Sequence, residues 1–120
     1  MQVGNLTGDA ISTKTDTSTS PSLASIVMLI ENWAGAAVLG TNIKAWVSRD
    51  NGSNWYEATA GQSYELKDKG SWGVQKKIIT ANNIPFAGPT GTEICYKIEW
   101  GGQSVGFMET RVHATSLAWK

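Results

Sequence analysis

The chain has 120 residues, with ten basic and ten acidic side chains, one histidine, one cysteine and six tryptophans. That length suits one domain rather than two and can bury a core without a disulfide or metal staple. The charge balance leaves no cationic excess for phosphate contacts, no apolar run reaches the roughly 18 residues that span a bilayer, and Cys95 alone makes neither an intrachain disulfide nor a cysteine-based metal site.

Thr, Ser, Gly and Asn are abundant and only 17% of residues are charged, a composition of all-β binding or surface proteins rather than helical ones. The start, "MQVGNLTGDA", lacks the basic stretch and apolar core of a signal peptide. Delivery outside a cell is therefore expected by another route, such as phage lysis. Residues 1–22 read as a polar arm or linker and 23–120 as the folded domain. Within the arm, "STKTDTSTSPS" (12–22) has no hydrophobic period. It is expected as a flexible or extended lead-in, or as a joint to a shaft or neighbouring subunit.

"LASIVMLIEN" (23–32) opens the domain. Ala24, Ile26, Met28 and Ile30 alternate with Leu23, Val27 and Leu29, so both faces are apolar. Periodicity alone does not separate a strand from a buried helix, but Pro21 before it and the turns after it favour a strand. Such a strand needs cover on both sides, from a second layer of the domain or from another subunit. "NWAGAAVLGTN" (32–42) reads as a connection. "NIKAWVSR" (42–49) alternates, with Ile43, Ala45 and Val47 inward and Lys44, Trp46 and Ser48 outward.

Strands are next expected in "WYEAT" (55–59), "SYELKD" (63–68) and "VQKKIIT" (74–80). "EICYKIEW" (93–100) is the cleanest, with Ile94, Tyr96, Ile98 and Trp100 on one face. "SVGFM" (104–108) is expected to pair back, and "TRVHATSLAW" (110–119) closes the domain. Seven to eight short strands, with turn signals about every ten residues and no helical stripe, predict an antiparallel β-sandwich of jelly-roll-like type.

Between two of these strands, "SRDNGSNW" (48–55) matches the Asp-box pattern S-x-D-x-G-x-x-W. Each of its residues has a turn-building role. Asp50 can accept backbone N–H groups, Asn51-Gly52 is the strongest short hairpin signal, Ser48 bonds locally and Trp55 caps the hairpin. The motif marks a peripheral hairpin in sialidase-like proteins, where it repeats from blade to blade. Here one copy stands in a chain too short for a propeller. With Arg49 and Arg111 the only arginines, the arginine cluster of a sialidase cannot be assembled.

Catalytic alternatives are thin. Glu93 with Glu99, or Glu65 with Asp68, read as a solvated strand face rather than a glycosidase pair. A lone His113 excludes a histidine metal cluster. A triad of His113 with Ser104 or Ser116 has no nucleophile-elbow motif behind it, and Cys95 reads as a packed side chain. No enzyme activity, metal or cofactor is expected. The lead to binding is aromatic: Trp33, Trp46 and Trp72 stand beside polar or glycine-rich sequence, as sugar-stacking platforms do. The alternative is that they are buried in the core or in a subunit interface. Trp100 and Trp119 are assigned to the core.

The order "IKAWVSRDNGSNWYEAT", "GPTGTEICYKI" (88–98) and "ETRVHATSLAWK" (109–120) resembles the C-terminal domains of bacteriophage tail-fibre and virion structural proteins. Those run through a "VSRDGG" hairpin and a "GQPSGT-x-x-x-Y-K-I" strand to a closing "HGVSLQW". The resemblance covers about residues 23–120 and departs at Ala114, where that pattern has Gly, and in the hairpin "WGGQSVGFMET". It implies a β-sandwich virion part, commonly homotrimeric, that assembles with other virion proteins and meets host-surface glycans. The expected location is the virion, without nucleic-acid binding or membrane insertion. The alternatives are a purely structural head-decoration or fibre-joint protein without ligand, and a carbohydrate-binding module of a cellular glycosidase.

Overall fold

The computed structural model describes residues 2–4, 8–59, 63–68 and 75–120, with the backbone course alone for 2–4, 63–68 and 75–76. Among these residues there is no helix. The strands are β1 (Gln2–Gly4), β2 (Gly8–Ile11), β3 (Thr15–Asp16), β4 (Leu23–Ala34), β5 (Ile43–Ser48), β6 (Tyr56–Glu57), β7 (Ser63–Asp68), β8 (Gln75–Pro85), β9 (Glu93–Trp100) and β10 (Glu109–Trp119). All pair antiparallel in two sheets, ordered β1-β10-β4-β8-β7 and β2-β9-β5-β6, with β3 also on β9. We call them the long and the short sheet. The molecule is an antiparallel β-sandwich.

Two strand pairs lock the layers together. β4 lies beside β8 in the long sheet, and their successors β5 and β9 lie beside each other in the short sheet. The chain thus crosses between sheets after β4 and again after β8. The apolar alternation of each strand drives this. Ala24, Ile26, Met28 and Ile30 of β4, with Ile79, Ala81 and Ile84 of β8, face Ile43, Ala45 and Val47 of β5 and Ile94, Ile98 and Trp100 of β9, and all are buried. β-branched side chains suit this pleated, half-covered surface.

Among the described residues the strands number ten because the N-terminal lead-in adds three short ones. Residues 8–11 and 15–16 lie extended along β9, held by backbone pairing, and their side chains stay mostly exposed. A polar sequence without hydrophobic period can still dock by its backbone, to which that period is blind. Two expected elements also shift. β4 runs on to Ala34, into the segment read as a connection. Residues 104–108 close a tight turn instead of forming a strand, with Ser104 and Met108 as its one bridging pair.

Trp119 is a correction. It is 40% exposed and not part of the core. Beyond Ala114 the inner side of β10 looks onto Ser12, Thr13 and Thr15 of the lead-in, which leaves an open groove lined also by Tyr96 and Leu117. The outer face of the long sheet is open too. Val27 and Ile78 are exposed there beside half-buried Leu29. The second sheet therefore covers only the inner of the two apolar faces of β4.

The core predicts its own sensitivity. Ile98→Ala removes buried methyl groups between the sheets and is expected to cost about 2–5 kcal/mol, read as a lower urea midpoint at unchanged slope.

Candidate functional site

The Asp-box hairpin sits at the end of the sandwich where β4 begins and β5 finishes. The Ser48 hydroxyl donates to Asp50 Oδ1 at 2.8 Å and accepts the Gly52 N–H at 2.9 Å. Asp50 also receives the Asn54 backbone N–H at 2.8 Å and its side-chain amide at 2.6 Å. Asn51 and Gly52 take the positive φ values of 52° and 89° that the reversal needs. Burial pushes the Asp50 carboxyl up, but the hydrogen bonds from Asn54 and Ser48 outweigh it and hold the group below its ordinary value.

Arg49 fixes this hairpin to its surroundings. Its guanidinium is buried, donates to the carbonyls of Pro21, Gly88 and Pro89, and lies 5.3 Å from the Phe86 ring centroid. At Gly91 the backbone passes so close to the Arg49 carbonyl that a Cβ would collide with it. The side-chain bonds of Ser48 and Asp50 hold the turn, and Asn51 N–H donates to the Glu93 carbonyl of β9 at 2.9 Å.

The three tryptophans singled out for ligand binding do not converge. Trp46 lies half-buried on the outer face of the short sheet. Its Nε1 donates to Glu99 at 2.6 Å, and the Lys97 ammonium sits 5.1 Å from its ring centroid and 4.8 Å from that of Trp55. A cation held between two indoles occupies the surface on which a sugar would stack. Trp33 lies on the outer face of the long sheet, on the opposite side of the sandwich. It is 48% exposed, with the Arg111 guanidinium 4.0 Å from its ring centroid. Trp72 lies outside the described residues.

What the structure does assemble is the end opposite the Asp-box hairpin, where the β4–β5 loop (35–42) and the β9–β10 loop (101–108) meet. Gln103 joins them. Its amide donates to the Asn42 carbonyl at 3.2 Å and its Oε1 accepts the Thr110 N–H at 3.0 Å. Gly101 N–H reaches the same Asn42 carbonyl at 2.9 Å. Asn32 and Asn42 accept the N–H groups of Ala37 and Val38. On this braced base Val38 is 56%, Val105 70% and Phe107 80% exposed, beside Trp33. The sequence reading named only Trp33 of these. The missed signal is that neither loop contains a single charged residue.

The remaining reactive side chains have structural partners. His113 is displaced by a bulge between Val112 and Ala114, and its Nε2 lies 2.8 Å from buried Glu31 Oε1, which Arg111 approaches at 4.0 Å. Cys95 is buried, and desolvation pushes its thiol up, away from the reactive thiolate. Glu93 pairs with exposed Lys14 at 2.7 Å, a contact of little energetic weight in water. The side chains of Glu65 and Asp68 lie outside the described residues. Among the described residues no three of His, Cys, Asp and Glu gather as a metal-binding set.

Compared with models of protein families, with curated proteins and with solved structures, the chain gives no significant match.

Two measurements check these assignments. Asp50→Asn is expected to lower stability at neutral pH, because it removes charge-assisted bonds worth about 2 kcal/mol together. A carboxyl held below its ordinary value of 3.8 stabilises the fold above about that pH, and this contribution is lost as the pH falls through the lower folded-state value. The gap between wild type and variant in urea titrations should therefore close in acid. Cys95 should resist a thiol-specific disulfide reagent in the native protein and react fully once the chain is unfolded.

Proposed function

We propose that this chain is a non-enzymatic bacteriophage virion domain of tail-fibre type, which presents one end of its sandwich to the host surface and takes a glycan there. The observation that carries this reading is the braced loop end. An exposed indole, Trp33, at the foot of ordered, hydrogen-bonded loops suits recognition, since loops that are already ordered lose little entropy on binding. The likeness of "VSRDNGSNW", "GPTGTEICYKI" and "HATSLAW" to virion domains supports the setting. Trp33, 48% exposed with Arg111 over one face of its ring, offers the other face for stacking at this end. Affinity arises from several copies acting together rather than from one tight site.

The open outer face of the long sheet supports the companion reading, a structural role as a fibre-joint or decoration protein. Val27, Leu29 and Ile78 on that face suit packing against further copies in a homotrimer or against other virion proteins.

A glycan array and a host-cell binding assay on the assembled protein test recognition. The expected result is binding that Trp33→Ala lowers at least about tenfold, the scale of losing one well-packed aromatic anchor. Absence of binding by the assembled wild type removes the recognition half. Sedimentation equilibrium tests assembly: a species of three times 12.9 kDa is expected, and Val27→Asp with Ile78→Asp should shift it toward the monomer.

A further inference from the structure

The turn at residues 104–108 is built in a way that glycan recognition does not explain. Sugar hydroxyls are held by free donors and acceptors, yet this turn spends its own donors internally. Ser104 N–H donates to the Met108 carbonyl at 2.9 Å, and the N–H groups of Phe107 and Met108 return to the Ser104 carbonyl at 3.0 and 2.8 Å. Gly106 N–H donates to Glu109 Oε2 at 3.3 Å, which also gives that buried carboxylate a partner. What points outward is Val105 and Phe107, the most exposed large apolar side chains among the described residues.

We infer that this hairpin tip is a membrane-docking site, in which Val105 and Phe107 enter the interfacial layer of a lipid bilayer. Three features favour lipid over a protein groove. First, neither loop at this end, 35–42 or 101–108, carries a charged side chain of its own, and the carboxylate beneath the turn, Glu109, is already buried and bonded to Gly106 N–H, so entry into a low-dielectric layer strips little further water from it. Second, four of the five N–H groups of the turn, those of Ser104, Gly106, Phe107 and Met108, are already bonded, which lowers the cost of placing this backbone on the apolar side of an interface.

The third feature is depth. β10 pairs Glu109 with Ala34 and the Phe107 carbonyl lies against Gly35, which places Trp33 two residues, roughly 7 Å at the rise of a strand, behind the Phe107 backbone. An indole carrying the Arg111 guanidinium at that depth meets the headgroup layer, where Trp and Arg are at home, while Val38 adds apolar surface ahead of it. The insertion is shallow, reversible and confined to the side chains of the tip. This inference goes beyond the proposed glycan recognition and does not depend on it.

The experiment is flotation of the full chain with vesicles of neutral phosphatidylcholine, with and without an anionic lipid, at low and high salt. Wild type is expected to float with the neutral vesicles and to keep doing so in high salt, because apolar insertion is not screened. The double variant Val105→Ser with Phe107→Ser should bind about tenfold less or weaker. Its thermal midpoint should match that of wild type, since both side chains are exposed. Ile11→Ser, at an exposed apolar side chain on β2 paired with Lys97 midway along β9, should still float.

Flotation that needs anionic lipid and vanishes in salt would overturn the inference. So would equal flotation of the tip variant, or wild type that ignores vesicles while the tip substitutions abolish host-cell binding. The last result would assign the tip to a protein or glycan partner. A blank glycan array with intact flotation defeats only the glycan reading, so the two failures are distinguishable.

Discussion

The structure depends on one strip of apolar contact, where β4 and β8 press against β5 and β9. Ile26, Met28, Ile30 and Ile79 come from one side and Ile43, Val47, Ile94 and Ile98 from the other. Burying each such side chain contributes about 1.5–3 kcal/mol before the entropy of ordering the chain is set against it. Because β4 and β5 are successive, as are β8 and β9, each pair carries the chain across the strip. Neither sheet can be completed without the other, so layering and topology share a cause.

The strip also explains what the two poles are free to do. Once the middle is fixed, the connections at each end are relieved of holding the fold together and can be shaped for other ends. At one pole the Asp50 side chain is committed to the turn and the Arg49 guanidinium to the carbonyls of Pro21, Gly88 and Pro89. At the other, Gln103, Asn32 and Asn42 brace the loops from beneath and leave the side chains above them uncommitted. A rigid pole with an apolar crown and a rigid pole with a closed polar turn present different surfaces, although their backbones are held by the same kinds of bond.

How far the sequence could be read follows from where period two carries information. β9 was legible to the residue because Ile94, Tyr96, Ile98 and Trp100 alternate with charges, and β7 matched its expected span. β8 extends five residues past the expected Thr80. Its pairing with β4 shifts register at Ala81, and Asn83 adopts φ 55° with its N–H on Ser25 Oγ, a break no periodic pattern announces. Trp119 keeps the inward parity of Leu117, yet stays 40% exposed, because cover is a property of the facing strand. The turn signals at Asn51-Gly52 were plain in the sequence. The exposure of Phe107 was not: whether a Gly-framed apolar pair turns in or out depends on what the neighbouring loop leaves room for.

The closing strand has a geometric consequence. Lys120 is zipped to the start of β4, its N–H on the Leu23 carbonyl at 3.1 Å and its own carbonyl receiving Ser22 N–H at 2.8 Å. The last residue is therefore anchored at the pole away from Phe107. A fluorophore, a biotin or a sensor chip coupled at Lys120 would hold the molecule by its heel and turn the crown outward, so that immobilised copies all face the analyte in one orientation.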